Sequence, residues 1–169
     1  MIPMIKTARL TLGMPDDSHT AAAIAFHGSD RAANLGWSEP PHGTWRHVAA
    51  MAGHHALRGF GPFVAECNGE TVGVFGPWFP LGAAEPEIKW TVWNPVFEGK
   101  GFAFEAAKAC CDYARTTLGW TTAVSYIAPS NMRSAALAAR LGAVKDGQWQ
   151  TPSGKTVDVW RHDLSGGAA

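Results

Sequence analysis

The chain has 169 residues, enough for one domain whose core needs no disulfide or metal to hold it together. Its 14 basic and 14 acidic residues balance, so the charge favours neither a nucleic-acid partner nor a membrane surface. The three cysteines do not make the even number that a disulfide framework needs. We expect neither a signal peptide nor a membrane span, and these expectations together predict a cytoplasmic location.

The first half of the chain is predicted to alternate between strands and helices. Its elements, in chain order, are an edge strand over 5–12, a helix over 21–26, a proline-containing loop over 34–43, a helix over 45–57, and strands over 63–67 and 71–75. Asn68-Gly69 separates the last two strands and favours a type I′ turn, so these strands are expected to form a hairpin.

The second half continues the same mixture. Its elements are a proline-rich loop over 76–86, a strand over 87–93, a helix from 102 to about 117, a strand over 121–127, a helix over 132–141 ending at Gly142, and strands over 144–150 and 156–161. Helices interleaved with an initially antiparallel sheet predict the α+β (mixed α/β) class. We expect one domain over residues 1–165 and a loose tail over 166–169.

A glycine-rich turn runs from Glu98 to Ala103, between a predicted strand and a predicted helix. Glycine lets the backbone approach a ligand closely, and the first turn of a helix offers unpaired N–H groups at its positive end. This pattern predicts a diphosphate site formed by the N–H groups of residues 99–103. A dinucleotide fingerprint would need glycine in place of Phe104, and a P-loop would need Ser or Thr in place of Gly101, so both are excluded.

Further motifs stand before and after this turn. They are Thr7-Ala8-Arg9-Leu10, Pro86-Glu87-Ile88-Lys89-Trp90, Asn131-Met132-Arg133-Ser134, and Leu137 followed by Arg140-Leu141-Gly142-Ala143. With the turn, they resemble in the same order the T-x-R-L, E-I-G-W, Q/R-x-x-G-x-G/A and N-x-x-S…A-x-x-L-G segments of the GNAT acetyltransferases, in the branch of the ribosomal-protein N-terminal enzymes RimJ and RimL. This resemblance extends over almost the whole chain. It implies a GNAT fold, with a central, mostly antiparallel sheet of six to seven strands flanked by about four helices.

The resemblance also implies acetyl-CoA as co-substrate and suggests which residues contact it. Those residues are Trp90, Val92 and Trp93 on the strand, Glu98, Gly99, Lys100, Gly101, Phe102 and Ala103 in the turn, and Asn131 and Ser134 at the start of the next helix. Glu98 departs from the family pattern, which has Gln or Arg there. A carboxylate repels a diphosphate, so we expect Glu98 to point outward or to pair with a cation such as Lys100.

Acyl transfer to an amine needs a group that receives the amine's proton and a donor for the leaving sulfur. By the resemblance, Glu87 is the candidate base and Ser134 the donor to sulfur. His54, with its neighbour His55, is the rival base, because an unperturbed imidazole has a pKa of about 6.5. The tyrosine that many family members carry as general acid is replaced by Ala138, which leaves Tyr126 as the nearby substitute.

The acceptor pocket is expected, by the same resemblance, beside Trp37, His55, Trp78 and Tyr126. The implied function is an acetyl-CoA-dependent N-acetyltransferase that acts directly on a primary amine, either of a small molecule or of a peptide or protein N-terminus. An acyl-CoA-binding sensor without efficient turnover stays as the alternative, because of Glu98 and the missing tyrosine. No metal is expected, and the protein is expected to be a monomer or a homodimer.

Overall fold

Eight strands form a single sheet in the computed structural model, which describes residues 3–166. The strands are β1 (Ile5–Lys6), β2 (Thr11–Gly13), β3 (Phe63–Cys67), β4 (Glu70–Trp78), β5 (Glu87–Val92), β6 (Thr122–Ile127), β7 (Val144–Gln150) and β8 (Thr156–Asp163). The helices are α1 (Thr20–His27), α2 (Asp30–Asn34), α3 (Pro41–Arg58), α4 (Phe102–Thr116) and α5 (Met132–Arg140). Short 3₁₀ turns lie at Asp17–His19 and Pro95–Phe97.

The predicted class is confirmed, and the described residues contain eight strands in place of six to seven and five helices in place of about four. One extra strand arises because the predicted edge strand over 5–12 is broken by a turn: Thr7 N–H donates to the Leu10 carbonyl at 2.9 Å, and Leu10 N–H donates to the Thr7 hydroxyl at 3.0 Å. The extra helix is α2, inside a stretch with little periodicity. Residues 167–169 of the predicted tail lie outside the described residues.

Local sequence explains where the other elements begin and end. Asn68 and Gly69 both have positive φ, 50° and 81°, as the type I′ turn of the predicted hairpin requires. Helix α3 begins earlier than predicted, at Pro41, because proline fits the first helical position, where no intrahelical N–H bond is needed. It ends at Gly59 in the left-handed conformation with φ of 77°.

The sheet has helices on both faces. Helix α4 covers one face and contributes Ala106, Ala107 and Cys110 to a buried cluster that includes Phe63 and Phe75. Helices α1 and α3 cover the other face, where their buried side chains pack against inward-facing residues of β3 and β4. Within the described residues, no helix is long and apolar enough to cross a bilayer.

Strands β5 and β6 are the only parallel neighbours in the described sheet, whose order is β1-β2-β3-β4-β5-β6-β8-β7. They pair at a single position, Glu87 with Val124, and then diverge. The N–H and C=O groups of successive residues in a strand point alternately to its two neighbours. Trp93 N–H donates to Val72 on the β4 side, so the main-chain groups of Trp90 and Val92 point to the other side, toward the gap that β6 leaves. The divergence therefore opens the sheet at the carboxyl end of β5.

Candidate active site

The glycine-rich turn presents a row of unpaired backbone donors. Gly99 and Gly101 have φ of 69° and 81°, a conformation that turns successive N–H groups the same way and that glycine adopts without steric cost. None of the N–H groups of residues 99–104 has an acceptor among the described residues. Because α4 begins at Phe102, the positive end of its dipole adds to this row. The geometry is therefore that of an anion site.

Arg9 supports the turn from outside. Its Nη1 donates to the Lys100 carbonyl at 3.0 Å, its Nε donates to Glu105 at 2.6 Å, and its guanidinium lies 4.0 Å from the centroid of the Phe102 ring. Partial burial opposes ionisation of Glu105, but hydrogen bonds from Thr7 and Arg9 outweigh it and lower the pKa of that carboxyl. The broken edge strand thus holds the turn in place.

We expect Arg9→Ala to raise the dissociation constant of acetyl-CoA about 3- to 10-fold, because the turn loses a charge-assisted hydrogen bond and the stacking contact that fixes it. The effect is bounded by the partial exposure of the ion pair to solvent. Arg115→Ala removes a guanidinium at the other end of α4 and should leave affinity unchanged. Titration calorimetry measures both, and equal affinities for the two variants would contradict the supporting role of Arg9.

Glu98 pairs with two arginines and not with Lys100. It contacts Arg31 of α2 and accepts a hydrogen bond from Arg133 of α5 at 2.9 Å. Desolvation favours the protonated form, yet the hydrogen bonds from both arginines outweigh it and lower the pKa of Glu98. Two guanidinium groups and one carboxylate leave a net positive charge beside the turn, so Glu98 does not make the site repel an anion.

Asn131 and Ser134 form the first turn of α5. The Asn131 side chain accepts from the Ser134 N–H at 3.2 Å, as an N-cap residue does. Trp90 Nε1 donates to the Ser134 hydroxyl at 3.2 Å. The Ser134 oxygen is therefore an acceptor for Trp90, and its own proton stays available to a ligand.

A first cleft of about 590 Å³ opens in front of the turn. The predicted coenzyme-contacting residues that line it are Trp90, Val92, Glu98, Gly99, Gly101, Ala103, Asn131 and Ser134. Three others do not line it: Trp93 faces a second cleft, Phe102 is buried in the core, and Lys100 is exposed. Arg31, Arg133 and Arg140 also line the first cleft and were not predicted to do so.

The second cleft has a volume of about 750 Å³ and lies on the other side of β5. Three of the predicted acceptor residues, Trp37, Trp78 and Tyr126, line it together with Glu87. Trp37 and Thr91 line both clefts, so the two spaces adjoin there.

Glu87 is the candidate base that the structure brings to the cleft. Burial raises the pKa of its carboxyl to about 7, against the opposing effects of Lys89 and of a backbone hydrogen bond from Tyr126. A carboxyl with this pKa exchanges its proton near neutral pH, as a general base must. Lys89, two residues along the same strand, faces the same cleft.

Comparison with known proteins identifies the family to which this chain belongs. A profile of the acetyltransferase (GNAT) domain matches residues 9–144. The chain belongs to the GNAT acetyltransferase family. The predicted family is thereby confirmed, and the protein is an acetyltransferase.

Solved structures agree with this GNAT assignment. An acetyltransferase from Agrobacterium tumefaciens superposes with a TM-score of 0.87 and 30% identity, over 96% of this chain and 95% of that one. RimL, the ribosomal L7/L12 alpha-N-protein acetyltransferase in complex with coenzyme A, shares the fold with a TM-score of 0.74 and 22% identity, over 98% and 99% of the two chains. The aminoglycoside acetyltransferase AAC(6')-Ib, in complex with coenzyme A and kanamycin, gives 0.76 and 17%, over 91% and 94%.

His54 and His55 of this GNAT protein do not line either cleft, contrary to the prediction. His54 donates from Nδ1 to the Phe60 carbonyl at 2.6 Å and accepts from the Phe79 N–H at 3.2 Å, so both ring nitrogens are engaged. Its ring lies 4.7 Å from that of Trp78 and supports this wall of the second cleft. His55 donates to the Pro62 carbonyl at 2.8 Å and is buried. Sequence reasoning missed this, because the register of α3 against the sheet decides which histidines face inward.

Ala138, where many family members have the general-acid tyrosine, and Tyr126, the substitute considered for it, lie in different surroundings. Ala138 is buried against Ile127 and Ala143. Tyr126 lines the second cleft with its ring 4.7 Å from that of Trp149. Burial and the negative charges of nearby carboxylates raise the pKa of Tyr126, so its hydroxyl stays protonated and can donate a hydrogen bond.

Proposed function

We propose that this GNAT protein transfers the acetyl group of acetyl-CoA directly to a primary amine, of a small molecule or of a peptide or protein N-terminus. The observation that carries the proposal is the meeting of two clefts at Thr91 and Trp37, with the unpaired N–H groups of residues 99–104 on one side. The anion site suits the diphosphate of acetyl-CoA. The second cleft suits the acceptor.

The proposed reaction needs three contributions from the chain. The acceptor nitrogen attacks the thioester carbon, and the proton that it releases passes to Glu87, directly or through water. The backbone N–H of Val92 faces the gap beside β5 and is the donor proposed for the developing oxyanion. As the C–S bond breaks, the Ser134 hydroxyl donates a hydrogen bond to the departing thiolate, which takes up a proton through water and leaves as coenzyme A. No covalent intermediate with the enzyme is required.

The experiment that tests this proposal combines binding with turnover. Titration calorimetry with acetyl-CoA should give micromolar affinity, and a thiol-release assay over a panel of amines and N-terminal peptides should show release with at least one acceptor class. Binding without release from any acceptor would contradict the proposed transfer and favour a sensor. Absence of binding would contradict the assignment of the glycine-rich turn.

A further inference from the structure

Lys89 is the most unusual residue of the second cleft. It lies on β5 between the buried Ile88 and the half-buried Trp90, and its Nζ is 5.0 Å from the centroid of the Trp78 ring. A lysine in a half-buried position is costly, because removing its ammonium group from water raises the free energy of the folded protein unless an anion offsets the loss of hydration. The Trp78 ring offers only part of that compensation.

Within residues 3–166, no carboxylate forms an ion pair with Lys89 at 4.0 Å or less, and no side-chain hydrogen bond includes its Nζ. Glu87 is near enough to interact through space but makes no direct contact. Burial lowers the pKa of Lys89, the sign expected of a cation whose compensation is incomplete. Among the described residues, the ammonium group of Lys89 therefore has Glu87 as a neighbour but no anion in direct contact.

A second cation faces the same space. Arg46 lies on the side of α3 that lines the cleft, and its guanidinium has no ion pair among the described residues. His47 lines the same cleft and adds no charge at pH 7, because desolvation, with the charges of Lys89 and His27, lowers its pKa to about 4. Glu39 and Glu87 are the acidic groups that line the cleft.

We infer that the acceptor is a small amine carrying a carboxylate close to its amino group, as a free amino acid does, and that Lys89 and Arg46 bind this carboxylate. The inference rests on the proposed function. A zwitterion complements a wall on which Glu87 and Lys89 stand side by side, since its amino group and its carboxylate each find an opposite charge. The cleft volume of about 750 Å³ is of small-molecule size, and Trp37, Trp78 and Trp93 give its side chain an apolar wall. A protein N-terminus continues as a neutral amide and leaves Lys89 without an anion.

The test compares free L-amino acids with their carboxamides as acceptors of the wild-type protein, by coenzyme A release. The carboxamide keeps the amine and the side chain and removes only the negative charge. We expect kcat/KM to be about 10- to 100-fold higher for the free acid of the best pair, as for a hydrogen-bonded ion pair in a half-buried site. Lys89→Met should abolish this preference, because the value for the acid falls to that for the carboxamide, while any change in the ionisation of Glu87 affects both substrates alike. Lys89→Arg should restore part of the preference.

Lys108→Met is the matched control, because Lys108 is an exposed lysine of α4 paired with Asp112, and it should keep the preference. Equal rates with acid and carboxamide, or acetylation of N-terminal peptides alone, would overturn the inference and leave the proposed function intact. A preference that persists in Lys89→Met would overturn the role of Lys89. Binding of acetyl-CoA without acetylation of any amine would contradict the proposed function itself.

Discussion

Glu87→Gln should lower kcat at pH 8 by about 100-fold or more, the range expected when a general base is removed. Glutamine keeps the shape of the side chain but cannot receive the proton of the acceptor amine. The wild-type rate should increase with pH. Because burial raises the pKa of Glu87 to about 7, the carboxyl is protonated and inactive below that pH, and the rate should rise as pH increases through 7. The variant should lack this rise.

Glu85→Gln provides the comparison for this experiment. Glu85 lies two residues earlier, and its carboxylate is held by Arg161 at 2.7 Å. Hydrogen bonds from Arg161 lower its pKa, so it stays ionised across the range in which Glu87 titrates. We expect Glu85→Gln to retain the rise in rate near pH 7.

The affinity for acetyl-CoA, measured by calorimetry, should be unchanged in Glu87→Gln. A Glu87→Gln enzyme with wild-type kcat and pH profile would show that another group receives the proton.

Gly73→Ala should have the largest structural effect. A Cβ at this position of β4 would lie 2.1 Å from the Thr91 carbonyl oxygen and 2.9 Å from the Trp93 nitrogen. Both are backbone atoms in or just after the adjacent strand β5, so no side chain can rotate away. The end of β5 must move, and this is where the two clefts meet. We expect a loss of about 3 kcal/mol in the free energy of unfolding, as for a severely overpacked site.

The same displacement should lower the activity of the protein that remains folded. A shift of about 1 Å in the groups that align the reactants can cost roughly 100-fold in rate. For a chain of this size, the loss of stability corresponds to a melting temperature lower by about 6–12 °C. Calorimetry and the coenzyme A release assay measure the two effects separately.

Gly53→Ala is the matched control for Gly73→Ala. Gly53 lies within α3, and a Cβ there would meet no atom within 4 Å. Alanine has the higher helix propensity, so this variant should be as stable as the wild type or more stable by up to about 1 kcal/mol. If Gly73→Ala melted at the same temperature as Gly53→Ala with undiminished activity, the close approach of β4 and β5 would not position the site.

Turns and helix ends whose conformation is set by residues adjacent in the sequence could be predicted. The hairpin at Asn68-Gly69, the glycine-rich turn before α4 and the capping of α5 by Asn131 each follow from the backbone conformation and hydrogen-bonding capacity of a few adjacent residues. The succession of these elements, with their motifs, also predicted the family. Glu87 and the three tryptophan and tyrosine positions of the second cleft were located by resemblance to that family.

The tertiary structure alone decided which distant charges meet. Glu98 pairs with Arg31, 67 residues earlier in the chain, and not with its neighbour Lys100. Arg9 reaches the glycine-rich turn across 91 residues. Likewise, the packing of α3 against the sheet turns His54 and His55 inward and presents Arg46 to the cleft. The local sequence determines the conformation of such turns and helix ends, because the steric limits and hydrogen bonds that set it involve only a few adjacent residues. The partner of a side chain depends on the order of the strands and the rotation of each helix, which are set by burial of the whole core.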